Sequence, residues 1–320
     1  MKASIYHHYG PPEIVQVQEV SRPIPSDNEV LIKVHVSTVN RTDCGFRSAE
    51  YFIVRFFSGL INPKNKILGN EFAGEIIAQG KGVTNYHIGD RVFGYNDKSF
   101  GGHAEFMTMD AAGPMATLPN NCSYETAAPI LEGAHYALCD IRAAKIKSGQ
   151  KILVNGSTGA IGSAAVQLLK YFGTEVTAVC ATPHLELVKS LGADRVIDYT
   201  KEDFTKLPKK FDVVFDAVGK SSFKRCKPIL TPKGIYMSTE LGYMSQNPLL
   251  ALITPFLGGR KVLFPIPTIS REDVDFLKTL VASGNFKPVI DKTYPLDQIV
   301  EAYRYVETGQ KIGNVLIAVE

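Results

Sequence analysis

Two patterns of hydrophobic and polar positions divide the chain. Residues 29–36 contain an apolar run and an alternation of polar and apolar side chains, and residues 72–78 form a second, mostly apolar run that is broken by Gly74. A Gly-Asp turn signal at residues 89–90 precedes a third run at residues 91–94. Short runs with a period of two, punctuated by glycine and proline, predict short strands. Residues 1–120 are therefore expected to form a β-rich, partly closed barrel.

Near residue 121 the pattern changes to alternating helix-like and strand-like stretches. Ser123 is a predicted helix N-cap, with the helix running to about residue 144. Strands are then predicted at residues 151–155, 175–180, 195–198, 211–215 and 234–238, and helices at residues 160–172 and 185–191. This alternation predicts parallel strands with crossover helices, an α/β doubly wound sheet. The C-terminal part is predicted to hold helices at residues 271–283 and 296–308 and strands at residues 289–290 and 315–319.

Composition narrows the class of protein. The chain has 320 residues, enough for two domains, with 45% hydrophobic and 21% charged residues. The net charge of +3 is scattered, so we expect no nucleic-acid partner. Residues 1–9 do not resemble a signal peptide, and the apolar stretch 248–257 is too short to span a membrane. Five widely spaced cysteines without a Cys-x-x-Cys pair predict reduced thiols and a cytoplasmic location.

The strongest motif is a glycine loop between a predicted strand and a predicted helix. Gly156 would permit a tight turn, Gly159 would let backbone approach a pyrophosphate, and Gly162 would let the helix lie close to the strand. The helix N-terminus would present N–H groups and a positive dipole end to phosphates. A dinucleotide site is therefore predicted, with expected contacts from Gly156, Ser157, Thr158, Gly159, Ala160, Ile161 and Gly162.

The residues after the second strand favour NADPH over NADH. A carboxylate is expected there when the 2′-OH of NAD is bound, but residues 181–184 carry no acid. Thr182 and His184 could instead donate hydrogen bonds to a 2′-phosphate, and Tyr199, after the third strand, could add a hydroxyl. The absence of an arginine leaves the preference for NADPH incomplete.

An ordered series of motifs resembles the medium-chain dehydrogenase/reductase superfamily over nearly the whole chain. The matching segments are residues 28–34, 69–74, 89–94, 101–106, 155–167, 187–194, 216–219 and 287–291. The branch that the chain resembles most is the zinc-free quinone oxidoreductases, which include zeta-crystallin. The resemblance implies a GroES-like catalytic domain from residues 1–120 and 265–320, with a Rossmann NADP-binding domain at residues 121–264 inserted in it. It also implies a cofactor contact at Val218 and a homodimer formed through the strand at residues 261–265.

Both metal sites of the zinc-dependent branch are expected to be absent. The catalytic ligands of that branch fall here on Asn40, on Asn70 and near Leu131, and none of these is a good zinc ligand. No cysteine lies between Phe93 and Gly101, where the structural zinc lobe would be. These residues argue against zinc-assisted alcohol oxidation.

The resemblance implies hydride transfer from NADPH to a small hydrophobic quinone or α,β-unsaturated carbonyl compound. Tyr51 matches a tyrosine of the family's substrate pocket and is the first candidate hydrogen-bond donor, although it could be a packing residue. Asn40 is the second, orienting substrate or nicotinamide. Asn70 could do the same or cap a loop, and His135 could donate a proton or pack within its helix.

Some alternatives stay open at this point. The apolar run at residues 243–259 could form a flap over the substrate or an interface between two subunits. The protein could bind NADPH without catalysis, in a regulatory or structural role. It could also reduce enoyl thioesters, for which the cations Arg55, Lys64, Lys66 and Arg260 would be suited.

Overall fold

The computed structural model describes residues 1–120 and 122–319. Its strands are β1 (Lys2–Ile5), β2 (Gln16–Glu19), β3 (Glu29–Val39), β4 (Glu71–Gln79), β5 (Arg91–Tyr95), β6 (Phe106–Asp110), β7 (Met115–Thr117), β8 (Lys151–Asn155), β9 (Glu175–Cys180), β10 (Arg195–Asp198), β11 (Phe211–Asp216), β12 (Leu230–Ser238), β13 (Lys261–Leu263), β14 (Ile290–Pro295) and β15 (Asn314–Ala318). Its α-helices are α1 (Arg41–Ser48), α2 (Val54–Ser58), α3 (Tyr124–Ala127), α4 (Leu131–Ala143), α5 (Ala160–Tyr171), α6 (Leu185–Ser190), α7 (Phe223–Cys226), α8 (Gln246–Ile253), α9 (Arg271–Ala282) and α10 (Ile299–Glu307).

The chain folds into two compact units. The barrel unit comprises residues 1–132 and the described residues from 269 onward, and the parallel-sheet unit comprises residues 133–268. The sequence analysis places these boundaries at 120/121 and 264/265. The first boundary lies later because the 3-10 turn Ala128–Ile130 packs against β3, β4 and β15 of the barrel unit.

The barrel unit is built on a curved sheet with the order β14-β15-β3-β4-β5-β7. The long strand β3 pairs along one edge with β4, and its other edge is shared by β6 and β15. Apolar side chains of alternate positions, including Val30, Ile32, Phe72 and Ile76, form one buried core. The predicted β-rich domain is therefore present, because period-two alternation places these side chains on one face of the sheet.

The parallel-sheet unit contains six parallel strands in the order β10-β9-β8-β11-β12-β13. This order corresponds to the 3-2-1-4-5-6 arrangement of the Rossmann fold. Its strands are apolar and buried, with Leu153, Val179 and Val214 in one core cluster. The predicted doubly wound sheet is confirmed.

Local differences from the sequence expectations have identifiable causes. The helix predicted to run to residue 144 is divided into α3, a 3-10 turn and α4, because Pro129 takes non-helical angles (φ −88°, ψ 20°). Its predicted N-cap is present, since the Ser123 side chain accepts a hydrogen bond from the Thr126 N–H. The apolar run from residue 243 forms α8 between the 3-10 turns Tyr243–Ser245 and Thr254–Leu257. Among the described residues, no helix has the length and apolarity needed to cross a bilayer.

Candidate active site

The glycine loop joins β8 to α5 in the parallel-sheet unit. Gly156 has φ +78°, and a Cβ there would lie 2.3 Å from Cγ1 of Val218. A Cβ on Gly162 would lie 2.1 Å from the carbonyl oxygen of Gly156. Both positions therefore require glycine for the fold itself, whether or not a ligand is bound. Val218 is thus a packing neighbour of the loop, and its predicted cofactor contact stays a prediction.

Gly159 differs from the other two glycines of the loop. A Cβ there would meet only the carbonyl oxygen of Gly156, at an ordinary distance of 3.8 Å, and φ is −71°. Gly159 is the N-cap of α5, where no described side chain accepts from the helix N–H groups. Space and unsatisfied donors therefore coincide at a helix N-terminus, and this arrangement fits the pyrophosphate of a dinucleotide.

The other residues of the glycine loop differ in where their polar groups lie and in what these groups contact. Ala160 and Ile161 begin α5, so their backbone N–H groups belong to its first turn. Thr158 lies in the turn and is partly exposed. The hydroxyl of Ser157, by contrast, is buried and donates to the Val179 carbonyl at 2.9 Å. The backbone N–H of Ser157 also donates to the Val179 carbonyl, at 3.2 Å, so both donors of Ser157 stabilise the loop and its predicted phosphate contact stays a prediction.

A carboxylate lies at the strand tips where the sequence analysis expects none. The Thr182 hydroxyl donates to Oδ2 of Asp198, at the end of β10, at 2.5 Å. Thr200 donates to the other oxygen of Asp198 through its hydroxyl (2.7 Å) and its N–H (3.0 Å). The hydrogen bonds from Thr182 and Thr200 hold the pKa of Asp198 at about 2. Residues 181–184 carry no acid, as predicted, but β10 pairs with β9 and brings the carboxylate of Asp198 to the same strand tips.

The carboxylate of Asp198 limits the hydrogen bonds that the Thr182 hydroxyl can donate. A hydroxyl has one hydrogen, and that of Thr182 is donated to Asp198, so it cannot also donate to a 2′-phosphate. His184 ends the 3-10 turn Thr182–His184 and is half-buried, whereas Tyr199 is exposed. His184 and Tyr199 therefore stay as the predicted phosphate donors.

In the barrel unit, Asn40 and Asn70 are joined directly. Nδ2 of Asn40 donates to Oδ1 of Asn70 at 2.6 Å, and both side chains are buried. Asn40 is also the N-cap of α1, because its Oδ1 accepts from the Asp43 N–H at 3.0 Å and its own N–H donates to the Asp43 carboxylate. This capping box fixes the orientation of the Asn40 amide. The structure thus gives Asn40 a structural role, and its contact with substrate stays a prediction.

Glu132 connects this amide pair to further polar groups. Its Oε2 accepts from Nδ2 of Asn70 at 3.2 Å, and its Oε1 accepts from the Thr42 hydroxyl at 2.6 Å. The same amide nitrogen of Asn70 donates to the Tyr95 hydroxyl at 3.1 Å. Asn70 is therefore held by side chains from three segments of the chain, and it does not simply cap a loop.

Three buried carboxyl groups and one amine make this region electrostatically unusual. Burial raises the pKa of Glu132 to about 7, against the opposing hydrogen bonds from Thr42 and Tyr95. Burial and the neighbouring Glu132 raise the pKa of Glu71 to about 8, and burial raises that of Asp43 to about 7. Burial lowers the pKa of Lys311 to about 8. We call Asp43, Glu71, Glu132 and Lys311 the buried charge cluster.

The other two predicted residues lie in different surroundings. Tyr51 belongs to the barrel unit, is 46% exposed, and stands at the start of an apolar exposed segment that includes Phe52, Phe56 and Phe57. His135 belongs to the parallel-sheet unit, on α4, where it is buried with its ring centroid 4.6 Å from that of Tyr136. The structure tests neither predicted role.

Comparison with known proteins decides the family. Residues 26–120 match the alcohol dehydrogenase GroES-like domain, and residues 191–317 match a family described as zinc-binding dehydrogenase. A 2-methylene-furan-3-one reductase from Solanum lycopersicum is 34% identical over 99% of this chain and 79% of that protein. The chain belongs to the medium-chain dehydrogenase/reductase superfamily. The NADPH-dependent alkenal/one oxidoreductase of Arabidopsis thaliana, named as chloroplastic, is 30% identical over the same shares. The quinone oxidoreductase from Coxiella burnetii superposes with a TM-score of 0.88 at 26% identity, over 100% of this chain and 99% of that one.

The zinc implied by one family name does not fit the donors of this member of the superfamily. Asn40 and Asn70 use their amide groups on each other and on their neighbours. The third position was expected near Leu131, whose side chain is apolar, and the adjacent Glu132 is the residue that contacts Asn70. Within residues 1–120 and 122–319, no set of three His, Cys, Asp or Glu side chains converges as metal ligands do. The donor set thus lacks the thiolate and imidazole groups that zinc prefers.

Six residues of this site were not predicted from the sequence: Thr42, Asp43, Glu71, Tyr95, Glu132 and Lys311. One feature of the sequence does point to Glu132, which is a lone acid in the apolar stretch 127–134. An acid in such a stretch is either exposed or buried with partners. The pairing of Glu132 with Thr42 and Asn70, each more than 60 positions away in the chain, could not be inferred from spacing alone.

Proposed function

We propose that this protein is an NADPH-dependent reductase of conjugated acceptors, transferring hydride to α,β-unsaturated carbonyl compounds or quinones. The observation that carries the proposal is the neutral amide pair Asn40–Asn70, joined to Glu132 where zinc-dependent members of the superfamily place metal ligands. The identity of 34% to a 2-methylene-furan-3-one reductase over 99% of the chain supports it.

The chemistry of the acceptor explains why hydrogen-bonding groups suffice. A saturated carbonyl that receives hydride concentrates charge on one oxygen, where a Lewis acid is effective. An enone or a quinone delocalises the same charge over several atoms, so a few hydrogen-bond donors can stabilise it. The proposed zinc-independent mechanism therefore suits a site built from amides, hydroxyls and a carboxyl group.

The glycine loop would hold the pyrophosphate of the cofactor at the N-terminus of α5, with Gly159 as the point of closest approach. His184 and Tyr199 would contact the 2′-phosphate of NADPH, and the carboxylate of Asp198 would weaken the preference over NADH. When bound, the nicotinamide supplies the hydride.

Exposed apolar segments support a hydrophobic substrate. In the barrel unit, Tyr51 is followed by the exposed side chains Phe52, Ile53, Phe56 and Phe57. Tyr51 would donate a hydrogen bond to the oxygen of the acceptor. His135 is retained as a second candidate proton donor.

Two alternative functions have less support. A non-catalytic NADPH-binding protein is less well supported, because the chain is 34% identical to a 2-methylene-furan-3-one reductase over 99% of its length. For an enoyl-thioester reductase, two of the four cations that would bind a carrier phosphate are already engaged. Arg260 donates to the Leu230 carbonyl, and the Arg55 guanidinium lies 4.9 Å from the ring centroid of Tyr9.

We also propose a homodimer. β13 is the last strand of the parallel sheet, and residues around it, including Phe256, Leu257 and Ile266, expose large apolar side chains. A second copy could pair along this edge and cover them. Light scattering on the purified protein tests this assembly.

The proposed location is the cytoplasm, supported by five free cysteines.

The proposed activity is tested by following NADPH oxidation with a panel of acceptors: a benzoquinone, a phenanthrenequinone, a short enone, a long enone and a saturated aldehyde, with NADH in parallel. We expect turnover of the conjugated acceptors, none of the aldehyde, and a higher rate with NADPH. Turnover of the aldehyde alone would contradict the proposal. Tight NADPH binding without any turnover would favour the non-catalytic alternative.

A further inference from the structure

We propose that Glu132 stores the proton consumed in the reaction and that Thr42 passes this proton to the reduced substrate. The inference rests on the proposed function, since reduction of an enone requires one proton for each hydride. It assigns roles to two residues that lie beside the amide pair: Thr42 follows Asn40 in the chain by two positions, and Glu132 contacts Asn70.

The contact between the two residues allows two proton arrangements. The Thr42 hydroxyl and Oε1 of Glu132 are 2.6 Å apart. When Glu132 is ionised, the hydroxyl donates to the carboxylate. When Glu132 is protonated, the carboxyl group can donate to the hydroxyl oxygen, and the hydroxyl hydrogen is released to point elsewhere. The protonation state of Glu132 therefore decides whether Thr42 can donate to another molecule.

The other acids of the buried charge cluster cannot replace Glu132. Glu71 accepts from the N–H groups of Leu131 and Glu132 and from the Thr38 hydroxyl, which is itself buried. Asp43 accepts from the N–H groups of Asn40 and Gly69. In the described part of the chain, Glu132 is the acid of the cluster that contacts the hydroxyl of a partly exposed residue, Thr42.

The groups around Glu132 keep its pKa near 7. Burial raises the pKa of Glu132 to about 7, and the nearby Asp43 acts in the same direction. The hydrogen bonds from Thr42 and Tyr95 and the ammonium group of Lys311 oppose this shift. The acid Glu71 faces it from β4, with its own pKa raised partly by Glu132. A group with a pKa near 7 is both protonated often enough and acidic enough to deliver a proton.

The balanced reaction has two transfers. Hydride from the dihydronicotinamide forms a C–H bond at the β-carbon of the enone, and the π electrons move to give an enolate. The enolate then takes the hydroxyl hydrogen of Thr42 at its α-carbon, and Thr42 takes the proton of Glu132. Glu132 is left as a carboxylate and regains a proton from solvent before the next turnover.

The kinetic test compares Glu132→Gln, Thr42→Val and Thr42→Ser with the wild type, using an enone and saturating NADPH between pH 5.5 and 9. In the wild type we expect the rate to fall as pH rises through about 7, because Glu132 loses its proton. Glu132→Gln and Thr42→Val should each lose roughly 100-fold in rate and the pH dependence in this range. Thr42→Ser, which keeps the hydroxyl, should restore most of the rate lost in Thr42→Val.

A matched control is available in the parallel-sheet unit. Like Thr42, Thr205 donates to a carboxylate, that of Asp203, at 2.7 Å, although Thr205 is buried and Thr42 is partly exposed. Thr205→Val should leave the rate and its pH dependence unchanged. An active wild type with no fall in rate above pH 7, or a Glu132→Gln variant as fast as the wild type, would overturn the inference alone. A wild type inactive with every conjugated acceptor would overturn the proposed function with it.

A second readout needs no turnover. Infrared spectra of the protein without cofactor should show the carbonyl stretch of a protonated carboxyl group that disappears as pH rises through about 7. Subtracting the spectrum of Glu132→Gln should isolate this band from those of Asp43 and Glu71. Absence of the band from the difference spectrum at pH 6 would show that Glu132 holds no proton to deliver.

Discussion

The glycine loop and the buried charge cluster carry the two halves of the proposed chemistry, and they are built in opposite ways. The loop is one continuous segment, residues 156–162, whose function depends on backbone shape and the absence of side chains. The cluster brings together acids from α1, β4 and α4 and a lysine that precedes β15. The loop depends on space and the cluster on side-chain partners, so single substitutions should affect them differently.

The largest expected effect comes from the loop. Gly162→Ala places a Cβ 2.1 Å from the Gly156 carbonyl oxygen, and backbone must move to accommodate it. We expect a loss of about 4 kcal/mol in the free energy of unfolding of the parallel-sheet unit. Gly159→Ala is the matched control, since its Cβ would have ordinary contacts. It should change stability by less than about 0.5 kcal/mol.

Gly159→Ala should nevertheless weaken NADPH binding by at least about tenfold, because the added methyl group occupies space needed by the pyrophosphate. Urea unfolding and fluorescence titration with NADPH measure the two quantities separately. An unchanged NADPH affinity in Gly159→Ala would show that the cofactor does not approach the loop at this point.

The next largest effect is expected at the amide pair. Asn70→Ala removes three hydrogen bonds and leaves polar groups of Asn40, Tyr95 and Glu132 buried with fewer partners. We expect the free energy of unfolding to fall by about 3 kcal/mol. Asn65→Ala, which removes a single bond to the Lys98 carbonyl near the surface, should cost less than about 1 kcal/mol in the same urea titration. Equal losses in the two variants would contradict the account of the network.

The buried charge cluster should also make stability depend on pH. The pKa values of Glu71 (about 8), Asp43 and Glu132 (both about 7) are raised by burial above those of the unfolded chain. Between pH 6.5 and 8 the folded state therefore binds more protons than the unfolded state, and the free energy of unfolding should decrease as pH rises. The expected decrease is about 3 kcal/mol.

Two basic groups of the barrel unit affect the free energy of unfolding mainly outside the range from pH 6.5 to 8. The lowered pKa of His103, about 4, makes stability rise with pH below about 6.5. The lowered pKa of Lys311, about 8, likewise makes stability rise with pH above pH 8. Glu71→Gln should flatten the decrease between pH 6.5 and 8, as measured by urea unfolding at several pH values. A wild-type stability that increases over this range would show that the three acids are ionised in the folded protein.

The smallest expected effect is at the strand tips. Asp198→Asn removes a negative charge but keeps an oxygen that can accept from Thr182. We expect the dissociation constant for NADPH to fall roughly threefold while that for NADH hardly changes, because only NADPH carries the 2′-phosphate. Titration of both nucleotides by calorimetry measures the ratio. An equal change for both would show that Asp198 does not face the phosphate.

The comparison also explains what could be predicted from the sequence. The two kinds of domain, the positions of the strands and the glycine loop follow from local periodicity and from motifs of contiguous residues. The carboxylate of Asp198 beside Thr182 could not be predicted from the second strand, because it arrives through the pairing of β10 with β9. Likewise, Asn40 and Asn70 are predicted to hold equivalent places in the site, but their link to Glu132 depends on the hydrogen bonds that Leu131 and Glu132 make with Glu71 of β4.

The central claim is that hydride reaches the β-carbon of a conjugated acceptor. The most direct measurement is reduction of an enone with NADPH carrying deuterium at C4 of the nicotinamide, followed by nuclear magnetic resonance of the product. We expect deuterium at the β-carbon of a saturated ketone and a proton from solvent at the α-carbon. Deuterium on the carbonyl carbon of an allylic alcohol would contradict the account, since that product is formed by carbonyl reduction.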